Sequence, residues 1–206
     1  MPLSSALAPH KRLVVASANP GKLREFRSLL AGLPFELTSL AELRLPGAME
    51  TGTSFLENAT LKARHAAALS GFAALADDSG LEVDALGGAP GLFSARYAGA
   101  GADDAANNAK LLRELQGIPM ERRRACYRCA LVFVSAAQDP APLIADGAWE
   151  GFILDAPRGS GGFGYDPYFW LPDLRLTAAQ LDGGEKNRLS HRAKAMRALR
   201  AQLVLR

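Results

Sequence analysis

Residues 13–30 read LVVASANPGKLREFRSLL, and this stretch decides the fold class. Leu13 to Ala16 is an apolar run with two valines, the composition of a buried strand. It breaks at once into SANPG, where Pro and Gly turn the chain sharply. From Lys22 to Leu30 the apolar residues Leu23, Phe26, Leu29 and Leu30 recur at helical spacing. Asn19 suits the N-cap, because its side-chain oxygen can accept from the first unpaired amides of a helix. Pro20 suits the first helical position, where a missing N–H costs nothing. The chain therefore opens as strand, turn and helix.

The same alternation continues outward from that unit. Phe35 to Leu40 predicts a second strand, and Leu45 to Thr53 is a loop. Ser54 and Glu57 have the spacing of a capping box ahead of an Ala-rich helix reaching Leu69. Phe72 to Ala76 predicts a strand that ends in the polar run DDSG, residues 77–80. Leu81 to Leu86 continues until GGAPG, residues 87–91, breaks the chain. Asp103 to Leu115 has a helical pattern, while Arg124 to Ser135 and Ile144 to Leu154 read as a hairpin joined near Asp139 and Pro140. Thr177 to Leu181 predicts a short helix. Ser190 predicts the cap of a last helix with the stripe Ala193, Met196, Leu199 and Leu203. Early alternation followed by a hairpin argues for an α/β fold, a mixed central sheet flanked by helices.

Composition narrows the function. The 206 residues are 49% hydrophobic and 22% charged, which suits an ordinary globular chain able to bury its own core without disulfides. The net charge of +3 is too small to argue for nucleic acid, and no basic patch is interleaved with aromatics. No apolar run is long enough for a membrane span. Residues 1–11 are expected to be a flexible extension, and 12–206 one two-lobed domain. The run Arg122, Arg123, Arg124 reads either as solvated surface or as attraction for a polyanion. Cys126 and Cys129 have the C-x-x-C spacing of a redox pair or half a zinc site. On a strand, however, residues three apart point to opposite faces, so plain thiols in a reducing cytoplasm are expected.

Four segments carry groups suited to chemistry. In Ser17, Ala18, Asn19, Pro20, Gly21 and Lys22, a helix N-terminus, small residues and one ammonium suit a phosphate chain. Asp77 and Asp78 beside Ser79 place two carboxylates where a cation or a raised pKa must offset their repulsion. One carboxylate there can take a proton from an attacking water, and Mg²⁺ accepts such ligands together with phosphate oxygens. Glu50 and Glu57 are the candidates to complete that site; the capping box already explains Glu57, so Glu50 is preferred. GGFGYDP, residues 161–167, sets Phe163 between glycines, open to a flat ligand, with Gly164, Tyr165 and Asp166 beside it. Lys186, His191 and Arg192 supply donors near a helix start, and Asp166 supplies an acceptor for a ring N–H.

Taken together and in order, SANPGKLREF, FLENATLKARHAA, ADDSGLEVDALGGAPGLFSARYAG, GGFGYDPYF and EKNRLSHRAKA resemble the inosine triphosphate pyrophosphatase, or Ham1-like, family. The similarity runs from about Leu13 to Leu199. The family usually has Thr where this chain has Ser17, and the hydroxyl is kept. The resemblance implies a two-lobed fold with the site in the cleft, a homodimer, and Mg²⁺-dependent hydrolysis of ITP, dITP and XTP to monophosphate and pyrophosphate. It further implies that Ser17 to Lys22 hold the triphosphate and that Asp78 is the proton acceptor and a metal-linked residue. Glu50 matches a metal-binding acid. Ser79, Phe163 to Asp166, Lys186, His191 and Arg192 match substrate-binding positions.

Overall fold

The computed structural model describes residues 11–204. The expected N-terminal extension lies outside them except for Lys11, which already belongs to the first strand. The chain forms β1 (Lys11–Val15), α1 (Pro20–Leu29), β2 (Phe35–Ser39), α2 (Phe55–Ser70) and β3 (Ala73–Val83). It continues with α3 (Asp104–Glu114), β4 (Arg124–Val134), β5 (Leu143–Ile153), β6 (Phe169–Leu171) and β7 (Leu176–Thr177). Two helices close the described chain, α4 (Gly183–Leu189) and α5 (His191–Val204). The strands make one seven-stranded sheet in the order β2-β1-β3-β4-β5-β6-β7. β1 pairs in parallel with β2 and β3, and the remaining pairs are antiparallel. The expected mixed α/β sheet is thus observed.

The local signals in the opening unit hold. Asn19 caps α1 by accepting from the amides of Gly21 at 2.8 Å and Lys22 at 3.1 Å. Phe26 is fully buried from that helix, a placement that contributes about 1.5–3 kcal/mol. The expected hairpin is β4–β5, and Ser190 caps α5 by accepting from Ala193.

β3 corrects the sequence reading. It does not end at Asp77 but runs unbroken from Ala73 to Val83, paired with β4 over Ala74 to Val83. Because strand side chains alternate, its two faces differ. Leu75 joins a core built with α1 and α5, whereas Ala74 and Ala76 join one built with α2. Leu81 and Val83 enter a third core with β6, α3 and the ends of β4 and β5.

β1 accompanies β3 only over Ala73 to Leu75 before turning away at Ser17. The segment Gly91–Arg96 covers the same edge farther along, where Ser94 accepts from the amide of Leu81 at 2.9 Å. Between those covers, the β1-side edge of β3 at residues 76–79 is left without a strand neighbour among the described residues. The candidate site occupies that gap.

Candidate active site

Asp77 and Asp78 lie in the gap and point to opposite faces of the sheet. Asp77 has an ion pair with Lys22 at 2.9 Å and another with Arg192 at 3.0 Å. Its face continues through Ser79, whose hydroxyl donates to Asp77 at 3.1 Å and accepts from Arg192 at 3.0 Å. Arg192 also pairs with Glu25 of α1. Glu25 in turn meets Lys186 at 3.0 Å, and Lys186 meets Asp166 at 2.6 Å. On the other face, Asp78 accepts from Asn58 at 3.2 Å and pairs with Lys62 at 2.7 Å. Lys62 reaches Glu50 at 3.1 Å, and Arg96 holds the second oxygen of Glu50 at 3.1 Å.

The two acids are therefore not a repelling pair in one spot, as their adjacency suggested. Each has its own cation. Their electrostatics diverge for that reason. Burial pushes Asp77 up, but Lys22, Arg192 and Lys62 outweigh it and hold the carboxyl far below its ordinary value. Burial also pushes Asp78 up, and there Lys62 offsets it only in part, so Asp78 lies above its ordinary value. Burial raises Glu50 too, but Lys62 and Arg96 bring it below. Asp78 is therefore the more basic of the adjacent acids.

Two cavities meet over the gap. The first, about 200 Å³, is walled by Phe163, Gly164, Tyr165, Asp166, Tyr127, His191, Lys186, Arg192 and Ser79, with Asp104 and Asn107 from α3. The second, about 330 Å³, is walled by Ser17, Ala18, Glu50 and Lys62. Asn19, Lys22 and Ala95 belong to both. Asp78 adjoins the second through Lys62. The structure thus brings the four predicted segments around one continuous space. Pro20 and Gly21 stand behind it in the first turn of α1.

Gly21 is needed there. A Cβ at that position would lie 2.5 Å from the Phe163 ring, so only glycine lets the aromatic rest on the helix start. Gly162 has φ +74, and a Cβ on it would overlap the Asp166 carboxylate. The Lys186 ammonium stands 4.6 Å from the centre of the Phe163 ring, a cation–π arrangement. His191 is buried, stacked on Tyr127 with ring centres 4.8 Å apart and planes 9° apart. Burial, then Arg192 and Lys186, push its pKa well below the ordinary 6.5, so the ring is neutral.

Some sequence expectations change in detail. The first amides of α1 are already satisfied by Asn19, and Ser17 accepts from the amide of Asn19 at 3.2 Å. The cationic group that α1 offers the cavities is therefore the Lys22 ammonium. Glu57 accepts from Thr53 at 2.7 Å and 2.9 Å, one residue before Ser54, so it serves the start of α2. Lys186 belongs to α4, for which the sequence reading makes no assignment, and lines the same cavity as His191 and Arg192 at the start of α5. Arg123 is tied to the carbonyl of Ile118 and Arg124 to Glu150, so that basic run serves the ends of the hairpin. Cys126 is half-buried and Cys129 buried, both free.

Asn58, Lys62, Glu25 and Tyr127 are not singled out by the sequence reading, which names Asp77 only as one of the two adjacent acids. Spacing carried a trace of some of them. Asn58 and Lys62 are four apart on α2, and Lys22 and Glu25 three apart on α1, so each pair shares a helix face. No group of three or more metal-ligating side chains occurs among the described residues. The protein offers a metal two carboxylates, Glu50 and Asp78, which already converge on a single ammonium. Mg²⁺ takes one or two carboxylates with water and phosphate oxygens, so this donor set fits it.

Comparison with known proteins agrees with the geometry. A protein named dITP/XTP pyrophosphatase from Xanthomonas campestris is 56% identical over 193 residues, covering 94% of this chain and 97% of that one. Another of that name from Xylella fastidiosa is 56% identical over 190 residues, covering 92% and 96%. The solved HAM1 protein of Coxiella burnetii superposes with TM-score 0.86 at 46% identity, covering 95% of this chain and all of that one. The Ham1 protein of Staphylococcus aureus superposes with TM-score 0.82 at 39% identity, covering 94% and 98%. The sequence model of the Ham1 family matches residues 13–202, and the chain belongs to that family.

Proposed function

We propose that this chain is a pyrophosphatase of non-standard purine nucleoside triphosphates, converting ITP, dITP and XTP to the monophosphate and pyrophosphate. Such an activity keeps these nucleotides out of DNA and RNA. The observation that carries the reading is the meeting of two unlike cavities at Lys22. One has an aromatic wall with polar side chains, suited to a base. The other has Lys22, Lys62 and Glu50 beside the raised carboxyl of Asp78, suited to a polyphosphate. The relatives named dITP/XTP pyrophosphatase support the substrate class.

Within the segment Ser17 to Lys22, the residues facing the cavities are Ser17, Ala18, Asn19 and Lys22, and these with Lys62 hold the phosphates. Asp78 accepts a proton from water as the water oxygen bonds to the α-phosphorus and the bond to the bridging oxygen breaks. Lys22 stabilises the charge of the departing pyrophosphate. Glu50 and Asp78 would hold Mg²⁺, which supplies neutralisation of phosphate charge. On the base side, Phe163 stacks. Lys186 has three donors and spends two on Asp166 and Glu25, which leaves one for a 6-oxo group. Asp166 faces the ring N–H that inosine and xanthosine carry and adenosine lacks. A buried polar group left unpaired against ATP gives strong rejection. By the family resemblance the enzyme is a homodimer, and free thiols suit the cytoplasm.

The test is pyrophosphate release from ITP, XTP, GTP, ATP and UTP under one set of conditions. ITP and XTP are expected to be fastest, and preference for UTP would overturn the reading.

A further inference from the structure

The Phe163 wall of the first cavity is held by side chains from a distant helix. Asp104 stands at the start of α3, and its carboxylate accepts from the amide of Gly164 at 2.6 Å. Asn108, one turn later and buried, donates to the carbonyl of the same Gly164 at 2.9 Å. Both backbone polar groups of the residue after Phe163 are therefore taken by one helix face, from 60 and 56 residues away. Asn108 also donates to the carbonyl of Asp104 at 2.7 Å, which fixes its amide group in the donating orientation. The amide of Phe163 itself is held by Asp166 at 2.9 Å.

A loop bound through side chains has no ladder to set its position, so the residues that grip it do. We infer that Asp104 and Asn108 are positioning residues that clamp Gly164, fix Phe163 against Gly21, and so set affinity for the nucleobase. This rests on the pyrophosphatase reading for its substrate but not for its geometry. The hydrogen bonds of the clamp go to Gly164 on the base side, whereas Lys22 pairs with Asp77, and Lys62 with Asp78 and Glu50.

The experiment uses D104A and N108D, with D104N as the conservative variant that keeps an acceptor oxygen. Hydrogen exchange of peptides covering residues 160–168 is expected to accelerate in D104A and N108D and to stay slow in D104N. For ITP, D104A and N108D are expected to raise KM roughly tenfold, the size of one lost hydrogen bond at a charged or buried group, with kcat near wild type. D104N restores KM. Inhibition by inorganic tripolyphosphate, which has no base, is expected to be unchanged in all three. Unaltered loop exchange and KM in D104A and N108D would overturn the inference. Equal weakening toward ITP and tripolyphosphate would also overturn it, since that marks general loosening. Failure of the wild type to release pyrophosphate from ITP would overturn the functional reading instead, and loop exchange would still judge the clamp.

Discussion

Asp77 and Asp78 are neighbours on β3, yet Asp77 meets Lys22 at 2.9 Å on one face of the sheet and Asp78 meets Lys62 at 2.7 Å on the other. The consequence is a division of labour. Asp77 is fully buried between two cations and is structural glue for α1 and α5. Asp78 is held above its ordinary pKa by burial and is available to a proton.

The first prediction concerns stability. Asp77→Asn removes the counter-charge of the buried Arg192 guanidinium and of the part-buried Lys22 ammonium and is expected to cost about 3–5 kcal/mol. Asp78→Asn is expected to cost much less, within roughly 1 kcal/mol, because the fold already disfavours that charge. Urea unfolding of both variants measures the difference. Equal losses would mean that the two faces do not differ as described.

The second concerns the close approach at the base wall. Gly21→Ala puts a methyl group 2.5 Å from the Phe163 ring. Overpacking of this kind costs about 1–3 kcal/mol, here by displacing Phe163. KM for ITP is expected to rise while kcat changes little. An unchanged KM would show that Phe163 does not need its seat on α1.

Much of this arrangement was legible in the sequence, and the losses have physical causes. The cap of α1 is a local matter, so Asn19 and Pro20 announced it. β3 was cut short because Asp77, Asp78, Ser79 and Gly80 have turn chemistry, and turn chemistry is also local. What carries the strand through them is pairing with β4 and ion partners from α1, α2 and α5, far away in sequence. α4 was missed because Gly183 and Gly184 open it. Its signal was the cap Asp182, which accepts from Glu185 at 2.7 Å. The placement of the Asp78 and Glu50 carboxylates around Lys62 was not legible, since charge pairing across 12 and 16 residues leaves no periodic trace.

The third prediction concerns metal. Glu50→Gln removes one of the two carboxylates offered to Mg²⁺. Loss of outer contacts alone weakens metal sites by roughly 10–100-fold, so loss of a ligand is expected to do at least that. Titrating Mg²⁺ against pyrophosphate release should show the half-saturating concentration displaced upward. A titration curve that coincides with wild type would remove Glu50 from the site.

The fourth concerns acid. His191 is buried and its pKa lies well below 6.5, so the folded state binds its proton less readily than the unfolded state. Its contribution to stability is present in full above the unfolded value and lost as pH falls from about 6.5 toward the folded value. Over that window stability is expected to drop by up to about 1.4 kcal/mol per pH unit for this group. His191→Gln should flatten the drop between pH 7 and 5, read by denaturant midpoints. An identical slope in the variant would show that His191 is not the group responsible.

The most direct test is pyrophosphate release from ITP by Asp78→Asn, with ITP binding measured on the same protein. The side-chain volume is kept, and the one amide oxygen still accepts from Lys62 or from Asn58, which meet different oxygens of Asp78. Turnover is expected to fall by at least about 10²–10⁴-fold, the usual contribution of a positioned general base, while ITP still binds. Turnover near the wild-type rate would contradict the assignment of Asp78 as the proton acceptor of this cleft.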